Sequence, residues 1–333
     1  MTVTNREEQP GGASTAIKRV SDLSLRAGIG ASALAFRGYD QTNLGRSAEL
    51  LRHRDYGPIV ARTLVEASEI CSDSIHRRVD LVECVRSEIP SSLDTFPEDV
   101  AMIVGMELAQ VRILEEIFQV PVRQAKLSLG YSIGELSAVV VGGTVRLDQI
   151  LPVPLSLATD CASLALDTTM GVLFTRREPL QAEAVERLCE VVRGEGEGLI
   201  GPSAYLSPNT ALILGQGRTL DLLERAMGDF LPEKTMLRRK EHRWPPLHSP
   251  LVWAHNIPNR AAMAMYRIGG SLPRPVPSVI SCVTGEASYD GHNCRETLIH
   301  WTDRPQKLWD VIDGTLSAGV ETVIHIGPSP NLI

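Results

Sequence analysis

The residues best placed for chemistry lie in Leu127-Ser128-Leu129-Gly130-Tyr131-Ser132-Ile133-Gly134-Glu135-Leu136-Ser137. This stretch reads as a short strand, a sharp turn carrying a serine, and the start of a helix, the setting that a G-x-S-x-G nucleophile elbow needs. Gly130 and Gly134 allow a tight turn and a close approach of strand and helix. The turn pushes the Ser132 hydroxyl outward. The Ile133 amide, in the first helical turn, has no intrahelical acceptor and is free to bind an oxyanion. The competing reading is a structural turn, because the pentapeptide also arises by chance. Glu135 reads as a salt-bridge partner in the first turn of the helix.

Other chemistries find less support. Six cysteines (Cys71, Cys84, Cys161, Cys189, Cys282, Cys294) are scattered without a CxxC pair, and read as reduced, buried thiols of a cytoplasmic protein. His53, His76, His242, His255, His292, His300 and His325 show no metal-ligand spacing, so no metal is expected. A net charge of −7 argues against nucleic-acid binding. The first residues are polar, with Gly11-Gly12 and no apolar core of a signal peptide, and read as a flexible tail over 1–25. No apolar run reaches the length of a membrane span.

The 333 residues suffice for one large core or two domains. A strand ends at Leu34-Ala35-Phe36, residues 46–89 are mainly helical, and Val100, Ile103, Val104, Leu108, Val111, Leu114 and Ile117 form the stripe of a helix over 99–118. The helix after Ser132 stops at Gly142-Gly143. Pro152 and Pro154 interrupt the next helical segment, and a helix resumes near Leu157. From Gly171 the order becomes β-α-β-β-α-β, the split βαβ pattern of a ferredoxin-like unit, ending in a short strand near Thr235–Arg238. The fold class expected is α/β: an α/β-hydrolase-like large domain over 26–167 and 242–333, with a ferredoxin-like small subdomain inserted over 168–241. The run Arg238-Arg239-Lys240-Glu241-His242-Arg243 is basic in an acidic chain; it reads either as a docking patch for an acidic partner or as a solvated linker.

Several landmarks fall in one order: Phe36-Arg37-Gly38-Tyr39-Asp40; Gly130-Tyr131-Ser132-Ile133-Gly134-Glu135; the ferredoxin-like insert; Leu247-His248-Ser249-Pro250; Val283-Thr284-Gly285; and Ile326-Gly327-Pro328. In this combination the chain, from about residue 30 to its end, resembles the malonyl-CoA:acyl-carrier-protein transacylase family, which includes the acyltransferase domains of polyketide and fatty acid synthases. The resemblance implies a two-step acyl transfer between thioesters of CoA or acyl carrier protein. Ser132 would form an acyl-serine and pass the acyl group to a phosphopantetheine thiol, with no bound cofactor. It implies His248 as general base and acid, oriented by a backbone carbonyl in the segment matching His300–Arg304. It implies the backbone N–H groups of Ile133 and Tyr39 as the oxyanion hole; Tyr39 stands at the glutamine of the family's Phe-Pro-Gly-Gln-Gly, and a changed side chain can leave a backbone donor intact. The basic residues Arg238, Arg239, Lys240 and Arg243 would dock the carrier protein.

Departures from the family pattern bear on the cargo. Tyr131 replaces the histidine before the serine. The family's helix arginine, which pairs with the free carboxylate of malonyl groups, falls on Leu157, or with a small gap on Thr159 or Asp160. Leu147 to Thr175 contains no Arg or Lys at all. The family's glutamine ahead of its Pro-Val-x-Trp falls near Trp301. The substrate pocket expected therefore includes Tyr131, Leu157, Thr159, Asp160 and Trp301, and favours an uncharged acyl group, or an amine-bearing one if Asp160 faces inward. Two other readings stay open: an acyl-carrier-protein thioester hydrolase using the same Ser–His pair, and a non-catalytic relative that binds the carrier. The end at Ile333, soon after Gly327-Pro328, reads as a shortened C-terminus.

Overall fold

Two four-stranded sheets carry the chain. The computed structural model describes residues 22–40 and 43–327, so the expected tail up to residue 21 and Pro328 of the terminal Gly-Pro lie outside the described residues. The strands are β1 (Ser32–Phe36), β2 (Leu127–Gly130), β3 (Thr168–Phe174), β4 (Ile200–Ser207), β5 (Thr210–Gln216), β6 (Met236–Lys240), β7 (Val279–Ile280) and β8 (Thr322–Ile326).

The first sheet has the order β7-β2-β1-β8, with every pair parallel. Its central strands read Ser-Ala-Leu-Ala-Phe and Leu-Ser-Leu-Gly and are buried along their whole length, as parallel strands covered on both faces must be. The register sets Phe36 opposite both Gly130 and Ile326. The carboxyl ends of three strands are thus level, where ligands bind in open α/β sheets. The loop holding Tyr39 leaves β1 there, and the turn holding Ser132 leaves β2 beside it.

One face of this sheet is covered by the helices Phe96–Glu116 and Ile133–Val141, backed by the helix Gly57–Ile75. Gly105 brings the two long helices close: a Cβ there would stand 3.2 Å from the Ala67 side chain. Residues 46–89 form three helices, Ser47–Arg52, Gly57–Ile75 and Leu81–Arg86. Pro58 opens the second, and the Asp80 side chain accepts from the Glu83 N–H to cap the third.

The second sheet has the order β4-β5-β3-β6 and is antiparallel, the ferredoxin-like arrangement. The helices Ala182–Gly194 and Thr219–Ala226 cover it, with a small core of Val185, Leu188, Ile213, Leu220 and Leu223.

Two local expectations need correction. Pro152 and Pro154 start the helix Pro152–Ala165 rather than interrupt one. In the first turn a missing N–H has no helical acceptor to lose, so proline costs nothing there. The basic run is a linker only in its second half: Arg238, Arg239 and Lys240 lie in β6, an edge strand, where charge also discourages pairing with a foreign strand, and residues 241–243 lead out of it. Among the described residues no helix is long and apolar enough to cross a membrane.

Candidate active site

Ser132 sits between β2 and the helix Ile133–Val141 with φ 54° and ψ −120°, a backbone region that side-chain-bearing residues avoid. The surroundings enforce it. A Cβ on Gly130 would lie 2.2 Å from the Gly134 carbonyl carbon, and one on Gly134 would lie 2.4 Å from the Arg37 oxygen. Only glycine at both positions lets β1, β2 and the helix converge on the turn. The peptide groups of the serine are held on both sides. The Trp301 indole N–H donates to the Ser132 carbonyl at 2.8 Å, and the Ser132 N–H donates to Gln306 Oε1 at 3.2 Å.

His248 enters from the Pro245–Pro250 loop and is 4% exposed. Its N–H donates to the Thr302 carbonyl at 2.7 Å. Its ring Nδ1 is 2.6 Å from the Trp301 carbonyl oxygen, and Nε2 is 2.7 Å from Ser132 Oγ. A carbonyl only accepts, so Nδ1 carries the proton and Nε2 presents its lone pair to the serine hydroxyl. Burial pushes the imidazole pKa down to about 4, against the opposing pull of the Trp301 carbonyl. The ring is therefore neutral near pH 7, the form a general base requires. The Trp301 indole meets the imidazole edge-on, with ring centroids 5.0 Å apart. The N–H groups of Ile133 and Tyr39 donate to no other described residue.

Two cavities meet at Ser132. The wider, about 200 Å³, lies between the antiparallel sheet (Met170, Ser203, Leu212, Leu214) and the elbow, and is lined by Tyr39, Tyr131, Trp244 and His248. The smaller, about 20 Å³, shares Tyr39, Phe96 and Leu247 with the wider one and lies beside the serine among Val100, Ile133, Pro154, Leu157, Cys161 and Trp301. Among the described residues, no Lys or Arg lines either cavity.

Tyr131, Leu157 and Trp301 thus border the site, and Thr159 and Asp160 do not. Leu157 and Cys161, four residues apart, share one helical face with Pro154, and positions 159 and 160 fall off that stripe. Thr159 lines a separate surface depression with Ile75, Leu93 and Leu166. Asp160 is bound by the Arg260 guanidinium and lies 3.4 Å from His255 Nδ1. An amine-bearing acyl group therefore has no carboxylate here to meet it. In the basic run, Arg239 is paired with Asp221 and Glu224, Arg238 lies 6.0 Å over the Phe174 ring, Arg243 donates to the Thr168 carbonyl, and Lys240 is exposed.

One supporting residue escapes a reading of the sequence, and a second is read there with the wrong partner. Gln306 bonds through its backbone to Ser203 and Tyr205 of β4, while its side chain reaches the Ser132 N–H, so one residue ties the antiparallel sheet to the elbow. No local pattern marks it. Glu135 has no cation beside it among the described residues, contrary to the salt-bridge expectation. Its fully buried carboxyl accepts from the Ser281 hydroxyl, from the Tyr289 hydroxyl at 2.6 Å and from the Cys282 N–H at 3.0 Å. Burial raises its pKa to about 7 despite these donors. A glutamine keeps the Cys282 N–H bond only by turning its NH2 toward the Ser281 and Tyr289 hydroxyls, which must then accept rather than donate. Glu135→Gln is expected to cost about 1–3 kcal/mol in thermal or urea unfolding while the Ser132–His248 pair stays in place.

No protein-family model matches the sequence, and no curated protein matches it either. Solved structures do. The fold is that of the malonyl-CoA:acyl-carrier-protein transacylases. The FabD crystal structure from Acinetobacter baumannii superposes with TM-score 0.71 at 18% identity, covering 91% of this chain and 89% of its own. An acyl carrier protein S-malonyltransferase from Vibrio cholerae gives 0.70 at 20% identity, over 90% of each chain. A structure of a type II polyketide acyl-carrier protein in complex with its malonyl-transacylase gives 0.66 at 19% identity, covering 90% of this chain and 89% of that one.

Proposed function

We propose that this protein is an acyltransferase that moves an uncharged acyl group between thioesters of CoA or acyl carrier protein through an acyl-Ser132 intermediate. The observation that carries this reading is the Ser132 Oγ–His248 Nε2 contact of 2.7 Å, with Nδ1 held on a carbonyl, in a cleft of the transacylase fold. Ser132 Oγ attacks the thioester carbonyl carbon while His248 Nε2 takes its proton. The developing oxyanion is met by the N–H groups of Ile133 and Tyr39. The imidazolium, stabilised by the Trp301 carbonyl, returns the proton to the departing sulfur. The second half runs in reverse, with the acceptor thiol as nucleophile. A carbonyl in place of a triad carboxylate suffices to fix the tautomer, because orientation is what the third member supplies.

The cargo follows from charge. A malonyl carboxylate in either cavity would be desolvated without a guanidinium to pair it, a loss on the order of 3–5 kcal/mol. Malonyl-CoA is therefore expected to acylate Ser132 roughly 100-fold or more slowly than a neutral acyl-CoA. The partner implied is an acidic carrier protein. Arg238→Glu with Lys240→Glu is expected to raise KM for carrier-bound substrate and spare small thioesters; equal effects on both would remove β6 from the docking surface. Arg239 is left untouched because its charge already serves Asp221 and Glu224.

Intact-protein mass spectrometry after exposure to a panel of acyl-CoA thioesters, followed by a chase with holo carrier protein, tests the reading. The adduct on Ser132 should pass to the carrier thiol. Loss to water alone would make the protein a thioester hydrolase, and no adduct from any thioester would make it a non-catalytic carrier-binding relative.

A further inference from the structure

We propose that the site selects a short acyl group, acetyl first, by the size of the cavity beside Ser132; this rests on the acyl-transfer reading. The geometry of the reacting carbon assigns its three substituents to three places. The departing sulfur takes its proton from His248 Nε2, so the phosphopantetheine arm lies in the wide cleft that His248 lines with Met170, Leu214 and Trp244. The carbonyl oxygen turns toward the N–H groups of Tyr39 and Ile133. The remaining substituent, the acyl tail, is directed away from His248, past Tyr39 and Ile133, into the cavity that Ser132 lines and His248 does not.

That cavity measures about 20 Å³. Room for one water-sized group takes on the order of 10–15 Å³ on this measure, so one methyl group fills it. Tyr39 and Leu247, on the side toward the wide cleft, are half-buried, but the walls on the core side have little freedom to retreat. Val100 is 3% exposed, Leu157 2% and Cys161 1%, each packed in the main core. Trp301, 2% exposed, is further pinned by its indole N–H on the Ser132 carbonyl. A longer tail has to displace packed side chains, which a close-packed interior resists. Leu157 lines the cavity from the helix Pro152–Ala165, on the same helical face as Pro154 and Cys161, and is the largest side chain that helix contributes to the wall. It is thus a specificity-determining residue, and the position where the resemblance expects a carboxylate-binding arginine.

The test is the rate of Ser132 adduct formation from acetyl-, propionyl-, butyryl- and hexanoyl-CoA, read by intact-protein mass spectrometry on the unmodified chain and on Leu157→Ala and Leu157→Val. In the unmodified chain acetyl should react fastest, and butyryl and hexanoyl at least about tenfold more slowly. Leu157→Ala should move the optimum to a longer chain; Leu157→Val, the milder change, should at least narrow the gap between acetyl and butyryl if the alanine variant does not fold. Hexanoyl reacting as fast as acetyl in the unmodified chain would overturn selection by length while leaving acyl transfer standing. An unchanged order in both variants would overturn the role given to Leu157. No adduct from any chain length would overturn the inference together with the function on which it rests.

Discussion

Ser132→Ala is expected to form no acyl-enzyme with any thioester and to lower turnover by about 10⁴-fold or more, the scale on which a serine nucleophile carries its reaction. The substitution leaves the elbow intact. Its backbone bonds to Trp301 and Gln306 do not involve the hydroxyl, and alanine meets the same strained φ that serine does. Only the hydrogen bond to His248 Nε2 is removed. Thermal unfolding should therefore move by no more than about 1 kcal/mol. Because nucleophile and base act as a unit, Ser132→Ala combined with His248→Gln should be no slower than Ser132→Ala alone. A single variant that retains turnover would place the nucleophile elsewhere.

The second large effect belongs to His248. His248→Gln is expected to lower kcat/KM about 10²- to 10⁴-fold, the range of a general base. The pH dependence is more telling. Burial holds the imidazole pKa at about 4, so kcat/KM should stay level from pH 8 down to about 5 and fall only as pH approaches 4. A limb near 6.5 would mean a solvated ring. Stability carries the same signature. Between about pH 6.5 and 4 the unfolded chain binds the His248 proton and the folded chain does not, so the group's contribution is complete above 6.5 and is lost as pH falls through that window. The loss is on the order of 3 kcal/mol. Glu135 and Asp99, the latter buried in the first turn of the helix Phe96–Glu116, are each raised by burial to about 7 and act in the opposite sense: they favour folding at low pH and lose that contribution as pH rises toward 7. The His248 part is therefore read as the difference between the parent chain and His248→Gln, measured by urea unfolding at pH 7 and pH 4.5.

How much of the fold and site was legible in the sequence depends on how local each signal is. The elbow was readable because one short stretch holds both the strand–turn–helix pattern and the two glycines, and the β-α-β-β-α-β order because strand and helix periods differ. The phase of a helix was not. Counting from a motif reached Leu157 but left Thr159 and Asp160 open, and only the packing of Pro152–Ala165 shows that Leu157 turns to the cavity beside the serine and Asp160 to Arg260. Charge invited a wrong partner for Glu135, because a carboxylate in a first helical turn is commonly solvated, whereas this one is buried under Ser281, Cys282 and Tyr289, which lie about 150 residues later in the chain. Gln306 gave no sign at all. Its contact with Ser132 spans 174 positions, and a lone glutamine after a proline belongs to no pattern.

The most direct measurement is a competition. The unmodified protein is mixed with equal concentrations of acetyl-CoA and malonyl-CoA, the adduct is identified by intact mass and located by peptide mapping, and holo acyl carrier protein is then added. The expected result is an acetyl group on Ser132 that moves to the carrier thiol. A malonyl adduct on Ser132 would contradict an uncharged cargo, and acylation at any other residue would contradict the Ser132–His248 site itself.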